Sequence, residues 1–124
     1  MIAMLRNDFY TIRNILSGDG SIAIGIKLNP DHYIYKAHFP GNPITPGVCL
    51  IQIALELLEG NFERKFRLIE AKNIKYLKVI SPLENPDIEY NIKYTYNSDL
   101  IQADICIVGG ETLFTKITAT YKGQ

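Results

Sequence analysis

Apolar and polar positions alternate through much of this chain, and the alternation marks strands before any residue chemistry is considered. Ile22, Ile24, Ile26 and Leu28 are separated by smaller or polar residues, the period of a half-buried strand. The mixed apolar stretch Asp8 to Leu16 precedes it across Ser17-Gly18-Asp19-Gly20, whose two glycines and aspartate make a turn, so the two segments predict a hairpin. Later, Ile88, Tyr90, Ile92, Tyr94 and Tyr96 alternate. So do Ile101, Ala103, Ile105 and Ile107, and then Leu113, Thr115, Ile117, Ala119 and Tyr121. Turn chemistry separates these runs at 81–86, at Asn97-Ser98-Asp99 and at Gly109-Gly110, the last a strong hairpin signal. A further strand-like stretch runs from Phe66 to Ile80.

Between the two groups of strands the character changes twice. Tyr33 to Pro46 carries three prolines and a glycine and is expected to be irregular. Val48 to Leu58 is then apolar at nearly every position and too long for an ordinary strand, which predicts a helix buried on all sides. Thr45 is the expected N-cap, Pro46 the first helical residue and Gly60 the stop. Two strands, a loop, one buried helix and three or four antiparallel strands make an α+β protein, because strands run in blocks instead of alternating with helices. A helix apolar on every face needs a curved sheet wrapped around it.

Composition leaves this picture intact and removes alternatives. The 124 residues fit one domain, residues 1–124, with 47% hydrophobic and 21% charged side chains. Thirteen basic and thirteen acidic groups give a formal net charge of zero, so a nucleic-acid partner is not expected. No run reaches the ~20 apolar residues of a membrane span, and no secretory signal is visible in Met1 to Asp8. Cys49 and Cys106 lie in apolar segments as small hydrophobes, which points to a reduced, cytoplasmic protein. No metal-ligand spacing or nucleotide motif appears, and no cofactor is expected.

The candidate chemistry sits at the junction of loop and helix. His38-Phe39-Pro40-Gly41-Asn42-Pro43-Ile44-Thr45-Pro46-Gly47 holds a histidine in backbone stiffened by proline, a setting suited to proton transfer. The first turn of the helix brings the backbone N–H groups of Gly47 and Val48 beside it, donors for a developing oxyanion. Gly47 lets a carbonyl approach its backbone closely. Within the helix only Gln52 and Glu56 are polar, four residues apart and therefore on one face. That face is either a solvated surface or a working one. His32 reads as surface, and the tyrosines as strand packing.

The stretch 38–56, HFPGNPITPGVCLIQIALE, closely resembles the signature of the β-hydroxyacyl-acyl-carrier-protein dehydratases. The resemblance implies a hot-dog fold, a long antiparallel sheet around one central helix, paired as a homodimer and in some cases as a trimer of dimers or a heteromer with a related subunit. It implies elimination of water from a β-hydroxyacyl thioester in fatty-acid, polyketide or pigment biosynthesis, with the acyl chain carried by acyl carrier protein. His38 would take the α-proton, and the Gly47 amide would polarise the thioester carbonyl. An acid on the partner subunit's central helix would protonate the departing hydroxyl; that acid falls at Gln52, and the family's usual glutamine at Glu56, so acid and amide are exchanged here. Either Glu56 supplies the proton with Gln52 beside it, or dehydration is lost and the fold serves thioester hydrolysis or a partner role. Helical side chains lean towards the N-terminus, which carries the Glu56 carboxyl back towards Gln52. Six basic residues (Arg64, Lys65, Arg67, Lys72, Lys75 and Lys78) against Glu70 alone form either a docking site for an acidic carrier or a solvated strand face.

Overall fold

The structure, a computed structural model, describes residues 4–37 and 40–124. The first hairpin forms as its alternation requires, from β1 (Tyr10–Gly18) and β2 (Ser21–Leu28). A short helix α1 (Tyr33–Ala37) and the long helix α2 (Gly47–Phe62) follow. Then come β3 (Phe66–Tyr76), β4 (Asp87–Asn97), β5 (Leu100–Gly109) and β6 (Thr112–Gly123). All pair antiparallel in one sheet of order β1-β2-β4-β5-β6-β3, which with α2 makes the hot-dog fold. The β5–β6 connection turns on Gly110, whose positive φ of 59° is costly for residues with a Cβ.

The inward-facing alternate residues of the sheet meet α2. Ile22, Ile24, Ile26, Ile88, Tyr90, Ile92, Ile105 and Ile107 are buried, as are Ile53, Ala54, Leu57 and Leu58 of the helix. Each isoleucine or leucine among them contributes roughly 1.5–3 kcal/mol by leaving water. The Tyr90 hydroxyl donates to the Leu50 carbonyl oxygen at 2.8 Å, a polar pin between sheet and helix in the middle of the core. Among the described residues no helix is long and apolar enough to cross a membrane.

Five expectations change. Tyr33 to Ala37 is helical, because all the prolines and the glycine of the stretch lie after Ala37. Thr45 does not cap α2: its hydroxyl shares a hydrogen bond of 2.9 Å with the Tyr35 hydroxyl, and Pro46 takes the cap position without a side-chain bond. The helix runs through Gly60 to Phe62 and stops at Glu63, which adopts the left-handed conformation. Nor is α2 covered on all sides. Val48 is 56% exposed and Gln52 half-buried, so one face of the helix is open within this chain. The strand expected to reach Ile80 ends at Tyr76, where pairing with β6 gives way to Leu77 and Lys78 both donating to the Phe114 carbonyl.

Candidate active site at the helix N-terminus

The segment entering α2 is held by long-range contacts. The Thr45 N–H donates to the Ile80 carbonyl at 2.8 Å, and its hydroxyl is tied to Tyr35 of α1. Pro46, extended at φ −62° and ψ 142°, offers its carbonyl to the N–H groups of Cys49 (3.0 Å) and Leu50 (3.3 Å). Proline has no side-chain acceptor, so the first turn keeps its orphan donors. Among the described residues neither the Gly47 nor the Val48 N–H meets an acceptor. His38 and Phe39 lie outside the described residues.

A pocket of about 320 Å³ opens beside Gly47. Its walls come from the loop (Ile44, Pro46), from Leu50, and from Leu77, Val79 and Ile80 after β3, with Lys78 alongside. Tyr76 closes over Gly47. A Cβ on Gly47 would stand 2.5 Å from the Tyr76 hydroxyl and 2.6 Å from its ring carbon, so any side chain here must displace the Tyr76 ring. Burial raises the Tyr76 phenol above its ordinary value. A Gly47→Ala substitution is therefore expected to push Tyr76 outwards and narrow the approach to the amides. It should cut turnover of a thioester substrate roughly 10- to 100-fold while Tm shifts little, since alanine favours the helix; steady-state kinetics and thermal denaturation check the pair.

Thr115, on β6, also lines this pocket. Its hydroxyl is fully buried and, among the described residues, has no hydrogen-bond partner. An unsatisfied buried hydroxyl costs about 1–3 kcal/mol. Thr115→Val keeps the shape and removes that cost, so the midpoint of chemical denaturation should rise by the equivalent of about 1 kcal/mol. A fall of that size would mean that the hydroxyl is satisfied in solution.

Gln52 and Glu56 are brought together, five residues and more beyond Gly47 on α2. Glu56 is 3% exposed, yet its surroundings are polar. Its Oε1 accepts from the Arg6 N–H (2.9 Å) and the Tyr10 hydroxyl (2.9 Å). Its Oε2 accepts from the Leu5 N–H and from the Gln52 amide, each at 2.8 Å. Four donors thus converge on one carboxylate, and two of them are backbone groups of the segment before β1. The Tyr10 phenol is pushed far up by burial and by this carboxylate. Nothing in the local sequence around Glu56 announces these partners, which stand 46 to 51 residues away.

Other side chains resolve differently from expectation. His32 is buried, not surface: the Ile34 N–H donates to its Nδ1 (3.1 Å), leaving Nε2 to meet Asp8 Oδ2 (3.1 Å), with Phe9 and Tyr33 against the ring. Cys49 is buried and its thiol is raised by desolvation, which disfavours a thiolate nucleophile. In the basic stretch Arg64 is bound to Asp99 (2.7 Å) and to the Tyr96 hydroxyl (2.7 Å), whereas Lys65, Arg67, Lys72, Lys75 and Lys78 are exposed. The Arg64 guanidinium holds the Asp99 carboxyl below its ordinary range.

The family model described as ApeI-like, ApeI dehydratase, matches residues 14–106, which include both the loop and α2. Among solved structures, the dehydratase heterocomplex ApeI:P from Xenorhabdus doucetiae is similar at 13% identity with a TM-score of 0.66, covering 90% of this chain and 96% of that one. A hypothetical thioesterase protein with coenzyme A from Streptococcus pneumoniae aligns at 15% identity and a TM-score of 0.61, over 99% of this chain and 94% of its own. An uncharacterized protein from Erwinia carotovora gives 17% identity and a TM-score of 0.62, with 92% of each chain covered. At these identities the solved structures speak for the fold.

Proposed function

Because this chain belongs to the ApeI-like dehydratase family, a hot-dog group whose fold it shares with thioesterases, we propose that it eliminates water from β-hydroxyacyl thioesters carried by acyl carrier protein, leaving the trans-2-enoyl thioester. The unclaimed amides of Gly47 and Val48 beside an apolar pocket carry this reading. A thioester carbonyl accepting from the Gly47 N–H acidifies the neighbouring C–H, and the charge that develops on oxygen is met by donors already in place. His38, nine residues earlier in the motif, is the base in this proposal. Gln52 and Glu56 do not line this pocket within one chain; in this proposal they form the pair on the side of the departing hydroxyl from the central helix of a second subunit. The apolar pocket walls take the acyl chain. No cofactor is needed, because elimination changes no oxidation state overall.

The open face of α2 supports assembly with a second subunit. Val48, Ile69, Tyr76, Leu77 and Val79 are all about half exposed or more, an apolar row along the β3 edge and the helix start. A second copy of this chain would cover them and close the pocket. A heteromer with a related subunit would do the same; the similar Xenorhabdus dehydratase is a heterocomplex. The exposed lysines and Arg67 on β3 and beyond it suit the approach of an acidic carrier.

The test is direct. Purified protein incubated with β-hydroxyacyl carrier substrates should give the mass loss of one water, and His38→Ala should slow this by at least about 10²-fold. Raising salt should raise KM for carrier-bound substrate and leave that for a small pantetheine thioester nearly unchanged. One observation favours a second reading: Gln52, an amide, stands where the family's acid falls. Release of free thiol with no enoyl product would establish thioester hydrolysis in place of dehydration.

A further inference from the structure

The exchange of acid and amide on α2 has a physical consequence. Glu56 cannot reach out to a substrate without giving up bonds to Leu5, Arg6 and Tyr10 that tie the chain's first described segment to the helix. Both carboxylate oxygens already accept two hydrogen bonds each, three of the four from groups other than Gln52. The Gln52 carboxamide is different. One of its N–H groups is taken by Glu56 Oε2 at 2.8 Å, and among the described residues its Oε1 has no partner. Carboxylate oxygen is an acceptor only, so the amide must turn its nitrogen to Glu56 and its oxygen the other way. The reverse flip would set two oxygens at that 2.8 Å separation. Gln52 shares its helix face with Val48, and that face is open. The pocket beside Gly47 is met by Leu50 from another side of α2, so the acyl chain that Gln52 meets is one held by a second subunit.

We propose that Glu56 is a positioning residue and Gln52 the group that meets substrate: the carboxylate fixes the Gln52 amide so that its Oε1 accepts a hydrogen bond from the β-hydroxyl of the acyl chain. This rests on reading the site as one for β-hydroxyacyl thioesters. Gln52 holds the hydroxyl and does not protonate it. The proton balance of the elimination closes without an acid on α2. The C–H bond breaks and its proton goes to the base; the C–O bond breaks with its electron pair on oxygen; the same proton, returned by the base, completes the water. A hydrogen bond that the hydroxyl donates to Gln52 fixes the rotation of the carbon chain for that return.

Two measurements test this. In the substrate-free protein, the Gln52 side-chain amide protons, assigned by their loss in Gln52→Leu, should include one that exchanges slowly and lies downfield. In Glu56→Gln that signature should collapse. Ordinary solvent-exposed exchange in the native protein would overturn the proposal, whatever the enzyme's activity. Secondly, a non-eliminating β-hydroxyacyl pantetheine analogue should bind roughly tenfold tighter than its deoxy counterpart, the worth of one hydrogen bond. Gln52→Leu, a half-buried position where folding is undemanding, should erase that preference and leave affinity for the deoxy compound unchanged. Equal binding of the two analogues by the native protein, or a preference that persists in Gln52→Leu, overturns it. If the preference and the amide signature are both present but no water is lost from any substrate, the dehydration reading fails and the pairing of Glu56 with Gln52 stands.

Discussion

Replacing Glu56 by alanine is expected to cost roughly 3–5 kcal/mol of folding stability, a large share of the ~5–15 kcal/mol that holds a domain of this kind together. The arithmetic follows from what is left behind. The Leu5 N–H and the Tyr10 hydroxyl are buried and would lose their acceptor, the Arg6 N–H would lose its own, and a cavity would open behind Tyr10. Each stranded buried donor costs about 1–3 kcal/mol. The segment before β1 can limit the damage by peeling away, since its attachment to α2 runs through this carboxylate. Hydrogen exchange distinguishes the outcomes. Fast exchange at Leu5 and Arg6 with protection intact in β4 and β5 marks local release, and a uniform drop marks a global loss. Tyr10→Phe removes a single donor and should cost about 1.5–3 kcal/mol, the value for a hydrogen bond to a charged group. If Glu56→Ala lowered stability by less than about 1 kcal/mol and left Leu5 protected, Glu56 would not be the anchor described.

The second large effect is expected in alkali. Tyr10, Tyr35, Tyr90 and Tyr121 have phenols raised by burial: Tyr121 to about 12, Tyr10 and Tyr35 further, and Tyr90 well above its ordinary value. Secondary causes act in the same direction at Tyr10, where the Glu56 carboxylate repels a phenolate. An unfolded chain ionises tyrosine near pH ~10. Above that pH the unfolded state sheds four protons that the native state keeps, so their contribution is complete below pH ~10 and declines as pH climbs towards the folded values. At pH 11 each phenol favours unfolding by about 1.4 kcal/mol, and the four together by roughly 5–6 kcal/mol. Denaturant midpoints measured from pH 8 to 11.5 should be flat at first and then fall steeply. Phenolate absorbance should show half of the eight tyrosines ionising only as the protein unfolds. Tyr121→Phe should shallow the slope by one proton and also raise stability at neutral pH, because the Tyr121 hydroxyl is buried without a partner among the described residues. Four phenols titrating freely in the folded protein would contradict the burial.

These effects meet in one region. The Tyr90 hydroxyl pins α2 from the sheet side, and Tyr10 braces it through Glu56. Both keep the helix fixed while its N-terminal amides and the open face around Gln52 remain available. Rigid support behind an exposed set of donors is the arrangement that a preorganised site needs.

Alternation of period two, the turn residues between the runs and the long apolar stretch after Pro46 were sufficient to read the strands, their hairpins and the central helix. Side-chain direction along a strand is a local property, and burying one face of a sheet demands it over every strand. The start of the helix near Pro46 was likewise legible, because proline acts within a few residues, although the cap expected at Thr45 falls at Pro46. Other features depended on partners far along the chain. Tyr33 to Ala37 is helical despite the prolines that follow; Thr45 bonds to Tyr35 instead of capping α2; His32 is buried by Phe9, Tyr33 and Asp8. Glu56 is the clearest case. Composition and spacing allowed a solvated carboxylate or a proton donor, and its actual surroundings come from the first residues of the chain, brought against α2 by the order of strands in the sheet. Periodicity is written in neighbours a few residues apart. A polar group's environment is set by whichever distant backbone atoms the topology delivers to it, and only the tertiary structure chooses those.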